Sequence, residues 1–277
     1  MGSVASLAVA GSPFGLAPSA QRSETRDPAE WPATVAAVRA WFAEVERVLS
    51  PYRAGSDLIR WRSGETDLAD CSPLLAEVIA GVAPLPEATA GGFHPYDRHG
   101  RYDPTGYVKG WAIERGVTIL AEHGVHDACL SIGGDLRTIG RADPDRPWRL
   151  AIADPADRGR PAAIVVAADH GFALATSGES ERGEHIWSMP GPTARLAPTP
   201  GRTGTPTRAG LASISVIGPE LSLADAYATA IWALARQRPV PEAWEWLEPT
   251  EYEALAVLSN GQLETTSGMR EHLVGGH

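Results

Sequence analysis

Cysteine is scarce. Cys71 and Cys129 are the two in 277 residues; they have no CxxC spacing, so neither a disulfide framework nor a thiolate zinc site is supported, and a reducing compartment fits best. Positive charge is also short. Lys and Arg number 24 against 34 Asp and Glu, a formal net charge of −10, which repels a nucleic-acid backbone over most of the surface and leaves room for no more than a local phosphate pocket. Long apolar runs are missing, and the longest fall short of a membrane span. The opening "MGSVASLAVAGSPFGLAPSA" lacks a basic n-region and a following Cys, and its apolar run of about seven residues is at the short limit for a signal peptide. A cytoplasmic protein is expected. Walker A, GxGxxG and GxSxG sequences are all absent, which removes the common nucleotide and hydrolase motifs.

What is present is an ordinary globular composition, 43% hydrophobic and 21% charged, long enough to bury a core. Apolar residues at Val35, Val38, Phe42, Val45 and Leu49 have helical spacing, ended by Pro51. Ser72 and Pro73 read as N-cap and first helical residue of a second helix. Asp103 and Pro104 open a third, which Gly124 stops. "ACLSIGGDLRTIG" reads as strand, Gly-Gly turn, strand; "WRLAIAD" and "AAIVVAADHGFALATSG" add three short strands, and "LASISVIG" one more before an alanine-rich helix. Helices and short antiparallel strands without a βαβ rhythm predict an α+β single domain with strands packed against helices. The expected divisions are a lead-in over 1–33, which includes a worn first strand at "SVASLAVAG", a domain over 34–264, and a fraying tail over 265–277.

Four groups of residues can carry chemistry. In "LADAYATAIWAL", Asp225 and Thr229 lie one turn apart. With Ser222 three residues earlier, Asp225 has the spacing of a capping box, and Thr229 can back-bond to the helix. Alternatively the pair is an oxygen-only half-site of the kind Mg²⁺ takes. "GGFHPYD…RYDPTGYVKGWAIE" holds Gly92, Phe93, His94, Asp103, Gly106 and Lys109. It reads either as a turn and a capped helix with a solvated lysine, or as helix amides and an ammonium around a phosphate. Gly133 and Gly134 make a hairpin turn or a close backbone approach to a ligand. "ATSGESERGEHIW" follows a strand with Ser177, Glu179, Glu181, Arg182 and His185, and a histidine beside Trp187 suits a general base near neutral pH.

In order along the chain, "LSPYRAGSDLIRW", "GGF", "DPTGYVKGWAIE", "LSIGGDLRTIG", "ATSGESERGEHI" and "ADAYATA" resemble the ApbE family, the FAD:protein FMN transferases. That resemblance implies cleavage of FAD at its pyrophosphate, attachment of FMN through a phosphoester to a Thr or Ser of an acceptor protein with an FMN-binding domain, and release of AMP. It implies Mg²⁺ on Asp225, Thr229 and the carbonyl of Gly106. Flavin contacts are implied at Gly92, Phe93, His94, Asp103, Lys109 and Trp187, and His185 is implied as the base. Two departures stand out. His94 replaces a usual acidic residue, and Ser188 occupies the Asp position of the usual His-Ile-Ile-Asp-Pro stretch. Two alternatives stand beside transfer: hydrolysis of FAD to FMN and AMP, with water in place of the acceptor hydroxyl, or, on these departures, a catalytically impaired FAD-binding protein.

Overall fold

The structure is a computed structural model that describes residues 5–10, 31–167, 171–178 and 210–274. The described strands are β1 (Ala5–Val9), β2 (Ala128–Ile132), β3 (Asp135–Ile139), β4 (Arg149–Ala153), β5 (Pro161–Val166), β6 (Phe172–Gly178), β7 (Leu211–Gly218), β8 (Glu253–Leu258) and β9 (Leu263–Thr265). The helices are α1 (Trp31–Leu49), α2 (Asp57–Arg62), α3 (Pro73–Val82), α4 (Leu85–Ala88), α5 (Thr105–Glu122), α6 (Leu221–Ala235), α7 (Val240–Ala243) and α8 (Met269–His272).

Local chemistry explains several boundaries. Ser72 Oγ accepts the Leu74 N–H at the start of α3, with Pro73 in its first turn. Gly124, at φ 75°, ends α5: its N–H donates to Ala121 O and that of Val125 to Leu120 O, the bonding of a Schellman motif. Gly133 and Gly134, at φ 56° and 90°, turn β2 into β3 with Ile132 opposite Asp135, a two-residue turn that follows the natural strand twist.

Seven strands form one antiparallel sheet in the order β1-β2-β3-β6-β7-β8-β9, and β4 and β5 form a separate hairpin. The expected α+β architecture is thus observed. Side chains alternate across the sheet. Ala173, Ala175, Ala254 and Ala256 belong to the core shared with the helices, and Phe172, Leu174, Leu255 and Val257 to a second core under the hairpin. Small residues on the helix side let α6, buried on nearly all faces and rich in alanine, settle onto the sheet. Trp41 Nε1 donates to Ala112 O at 2.8 Å, fastening α1 to α5.

Two expectations change and one is met. Pro104 occupies the boundary of α5, and Asp103 Oδ1 accepts the Thr105 N–H at 3.1 Å. The lead-in does contribute a strand, since β1 pairs with β2 along its full length. Residues 265–274 pack instead of fraying: Met269 is fully buried in the second core and Val274 N–H donates to Ile164 O. Among the described residues no helix is long and apolar enough to cross a membrane.

Candidate functional site

The site is built where α5 and α6 touch. A Cβ on Gly110 would lie 2.3 Å from the carbonyl oxygen of Leu221 and 2.9 Å from Ser222 Cα, so a glycine is what permits this approach. It brings Asp225, buried in α6, against the α5 backbone, where Oδ2 accepts the Gly110 N–H at 3.1 Å. Helical geometry directs that N–H to the carbonyl of Gly106. Asp225 therefore draws on the donor that the Gly106 oxygen would otherwise hold. One turn further, Thr229 Oγ1 is buried without a hydrogen-bond partner. A Cβ on Gly106 would sit 3.1 Å from that oxygen and 3.1 Å from the Phe93 ring.

The capping-box reading of Ser222 and Asp225 is overturned. α6 begins at Leu221, so Ser222 lies in its first turn and Asp225 a turn deeper, bonded to another helix. Nor does Thr229 Oγ1 back-bond. An unpartnered buried hydroxyl costs stability, and a buried carboxylate, a hydroxyl and a backbone carbonyl form the hard donor set that suits a small divalent cation completed by water and phosphate. Among the described residues no group of three or more His, Cys, Asp or Glu could hold a metal, so this oxygen set carries the fit.

Phe93 is buried and its N–H donates to Thr89 Oγ1 at 2.9 Å. A Cβ on Gly92 would lie 2.8 Å from the Ala230 carbonyl, so the Gly92 backbone lies directly on α6. His94 is exposed, its ring 5.4 Å from that of Tyr96. From there to Asp103 the chain forms a loop closed by Asp97: its carboxylate accepts the N–H groups of His99 and Arg101 and pairs with the Arg101 guanidinium at 2.6 Å.

Lys109 is not solvated. Its Nζ lies 2.5 Å from Asp135 Oδ2, and Asp135, fully buried at the start of β3, also accepts the Thr176 N–H at 3.0 Å. A cavity of about 150 Å³ beside Lys109 is walled by Phe42, Val45, Ala112 and Ile132, smaller than pockets that enclose a drug-sized ligand. A larger cavity, about 550 Å³, lies between α7 and β9 and shares no residue with the site. Asp135 and Glu114 escape a reading of the sequence. The only signals were Asp135 closing the "SIGGD" turn and Glu114 standing one helical turn beyond Gly110. Ser177 is buried at the end of β6; Glu179, Glu181, Arg182, His185, Trp187 and Ser188 lie outside the described residues.

The model of the ApbE family matches residues 96–256. A curated FAD:protein FMN transferase of Rhodobacter capsulatus is 32% identical over 160 residues, 57% of this chain and 29% of that protein. One of Salmonella typhimurium is 28% identical over 130 residues, 47% of this chain and 36% of that protein. The chain thus spans about a third of the length of these curated relatives. In architecture it is similar to the ApbE protein of Thermotoga maritima, with a TM-score of 0.69 at 18% identity over 91% of this chain and 93% of that one. It is also similar to the apo form of the Pseudomonas stutzeri flavinyl transferase ApbE, with a TM-score of 0.66 at 18% identity over 88% and 89%.

Proposed function

This chain belongs to the ApbE family, and on that premise we propose that it is a Mg²⁺-dependent FAD:protein FMN transferase. The observation that supports this most is the meeting of the buried Asp225, the unpartnered Thr229 Oγ1 and Gly106 at one place between two helices. Asp225, Thr229 and the Gly106 carbonyl would hold the cation. When bound, Mg²⁺ neutralises charge on the diphosphate oxygens without a proton change. The FMN half is held by Gly92, Phe93, His94, Asp103, Lys109 and Trp187. Gly92, pressed against α6, and Phe93, whose ring lies beside Gly106 of α5, would border that half next to the cation site.

His185 takes the proton of an acceptor Thr or Ser hydroxyl. The freed oxygen bonds to the FMN phosphorus as the bond to AMP breaks, and AMP leaves with the bridging oxygen. In-line placement of the hydroxyl supplies the rest of the rate, because positioning replaces a bimolecular encounter. The acceptor is a protein with an FMN-binding domain; the site acts on free FAD, and the chain works in the cytoplasm.

Incubation of the full chain with FAD, Mg²⁺ and candidate acceptors, read by intact-mass spectrometry, tests the proposal. An acceptor gaining one FMN while AMP appears, with both lost in Asp225→Ala and the acceptor adduct lost in His185→Ala, is the expected result. Release of FMN and AMP with no acceptor adduct replaces transfer by hydrolysis. FAD that is bound and stays intact points to an impaired binding protein.

A further inference from the structure

The two helices meet in an ordered ladder. On α5, Gly106, Gly110 and Glu114 recur every four residues and share one face; on α6, Leu221, Asp225 and Thr229 do the same. They pair in opposite directions: Glu114 Oε1 with the Leu221 N–H at 2.6 Å, the Gly110 N–H with Asp225 Oδ2 at 3.1 Å, and Gly106 against Thr229 Oγ1. Two rungs carry the groups assigned to the cation. The third is a carboxylate that the transferase reading does not use.

We propose that Glu114 is a positioning residue that caps α6 from a neighbouring helix and thereby sets the axial placement of Asp225 and Thr229. This rests on the metal assignment made above.

A helix N-terminus leaves its first N–H groups without intrahelical partners. At α6 the N-cap residue Glu220 makes no side-chain capping bond; Glu114 supplies the acceptor for Leu221 across 107 positions of sequence. Its negative charge also suits the positive end of the helix dipole. The same oxygen is ion-paired with Arg137 Nε from β3 at 2.8 Å, so the sheet holds the carboxylate while the carboxylate holds the helix. Burial pushes the Glu114 pKa up, against the opposing pull of Arg137 and the Leu221 N–H. With no room for a Cβ at Gly110, the helices lie at fixed depth. What remains to be fixed is sliding along their axes, and Glu114 stands at the end where that is stopped. Its effect on chemistry passes through Asp225 and Thr229.

The test is titration of the full chain with Mn²⁺ alone, without FAD, by electron paramagnetic resonance of free Mn²⁺ and by calorimetry. Folding of each variant is checked by circular dichroism. Glu114→Gln keeps an oxygen at the right reach for Leu221; Glu114→Asp keeps the charge but is one methylene short. Seating by reach predicts that Glu114→Gln binds Mn²⁺ within a few-fold of wild type, whereas Glu114→Asp loses about tenfold or more, the range seen when a group orienting a ligand is removed. The reverse order would assign the effect to charge and overturn the proposal. So would a less stable Glu114→Asp with unchanged Mn²⁺ affinity, which would leave Glu114 a merely structural cap. Asp225→Ala separates the two levels. If it loses Mn²⁺ while Glu114→Asp does not, the positioning role alone falls; if it binds Mn²⁺ like wild type, the metal assignment falls and takes the positioning role with it.

Discussion

Asp225 and Gly110 are joined by a hydrogen bond from a main-chain N–H to a buried carboxylate, 115 positions apart in sequence. The bond spends an α5 donor on a side chain of α6, and it sits between a glycine contact and an unpartnered hydroxyl. A structure selected for stability alone would not retain that hydroxyl. Its retention beside a carboxylate leads to the first expectation.

Thr229→Val removes a buried hydroxyl without a partner and keeps its shape. The ligand-free protein is expected to be unchanged or more stable by about 1 kcal/mol, while Mn²⁺ affinity and flavin transfer fall. Thermal melting with and without the ion reads both. A variant that loses stability and keeps its affinity for the ion contradicts the assignment of Thr229.

Gly110→Ala places a methyl where the Leu221 carbonyl already stands. Overpacking of this kind costs about 1–3 kcal/mol, and here it also forces α5 and α6 apart. Chemical denaturation should report the loss, and transfer activity should fall even at temperatures where the variant is fully folded. Normal activity in a folded Gly110→Ala would show that the helix contact is not needed for the site.

Lys109→Met strands Asp135, which is fully buried and would still accept the Thr176 N–H. Breaking a buried pair from one side typically costs about 3–5 kcal/mol. Lys109→Met with Asp135→Asn should recover much of that stability and none of the FAD affinity, if the ammonium also serves the flavin. Denaturation midpoints and FAD titration of the single and double variants separate the two roles. Recovered FAD affinity in the double variant would confine Lys109 to a structural part.

The loop from His94 to Asp103 carries a pH signature. Burial pushes the Asp97 carboxyl up, but the Arg101 side chain and the N–H groups of Arg101 and His99 outweigh it and bring its pKa to about 2. A carboxyl depressed by folding contributes stability that is fully present above its ordinary value and lost as pH falls through the depressed one. The stability gap between wild type and Asp97→Asn should therefore be constant above about pH 5 and shrink between pH 4 and pH 2.5. A gap that does not change over that acid range would show that the carboxylate does not hold the loop.

Much of this fold is legible locally. Ser72, Pro73, Gly124 and the Gly133–Gly134 pair act on neighbours within a few residues, and each stands at the boundary its chemistry predicts. Asp225 and Thr229 were legible as a pair, and the family resemblance set Gly106 of the partner helix beside them; what stayed hidden was the acceptor at the start of α6, because Ser222 imitates a cap whose real acceptor is Glu114. Glu114 and Asp135 escape notice for the same reason: each is an ordinary acid along the chain, and its meaning comes from a donor contributed by a distant element. Residues 265–274 read as polar and terminal, and only the second core explains why Met269 is buried there.

Main chain against main chain at Gly110 turns α5 and α6 into a single anvil. Neither helix can move closer to the other, so on the proposed function the anchor for the diphosphate would be the same whatever nucleotide arrives. Discrimination between one dinucleotide and another would then fall to the segments that frame this pair, among them the His94–Asp103 hoop. Redesign for a different nucleotide should begin in that hoop and leave the anvil intact.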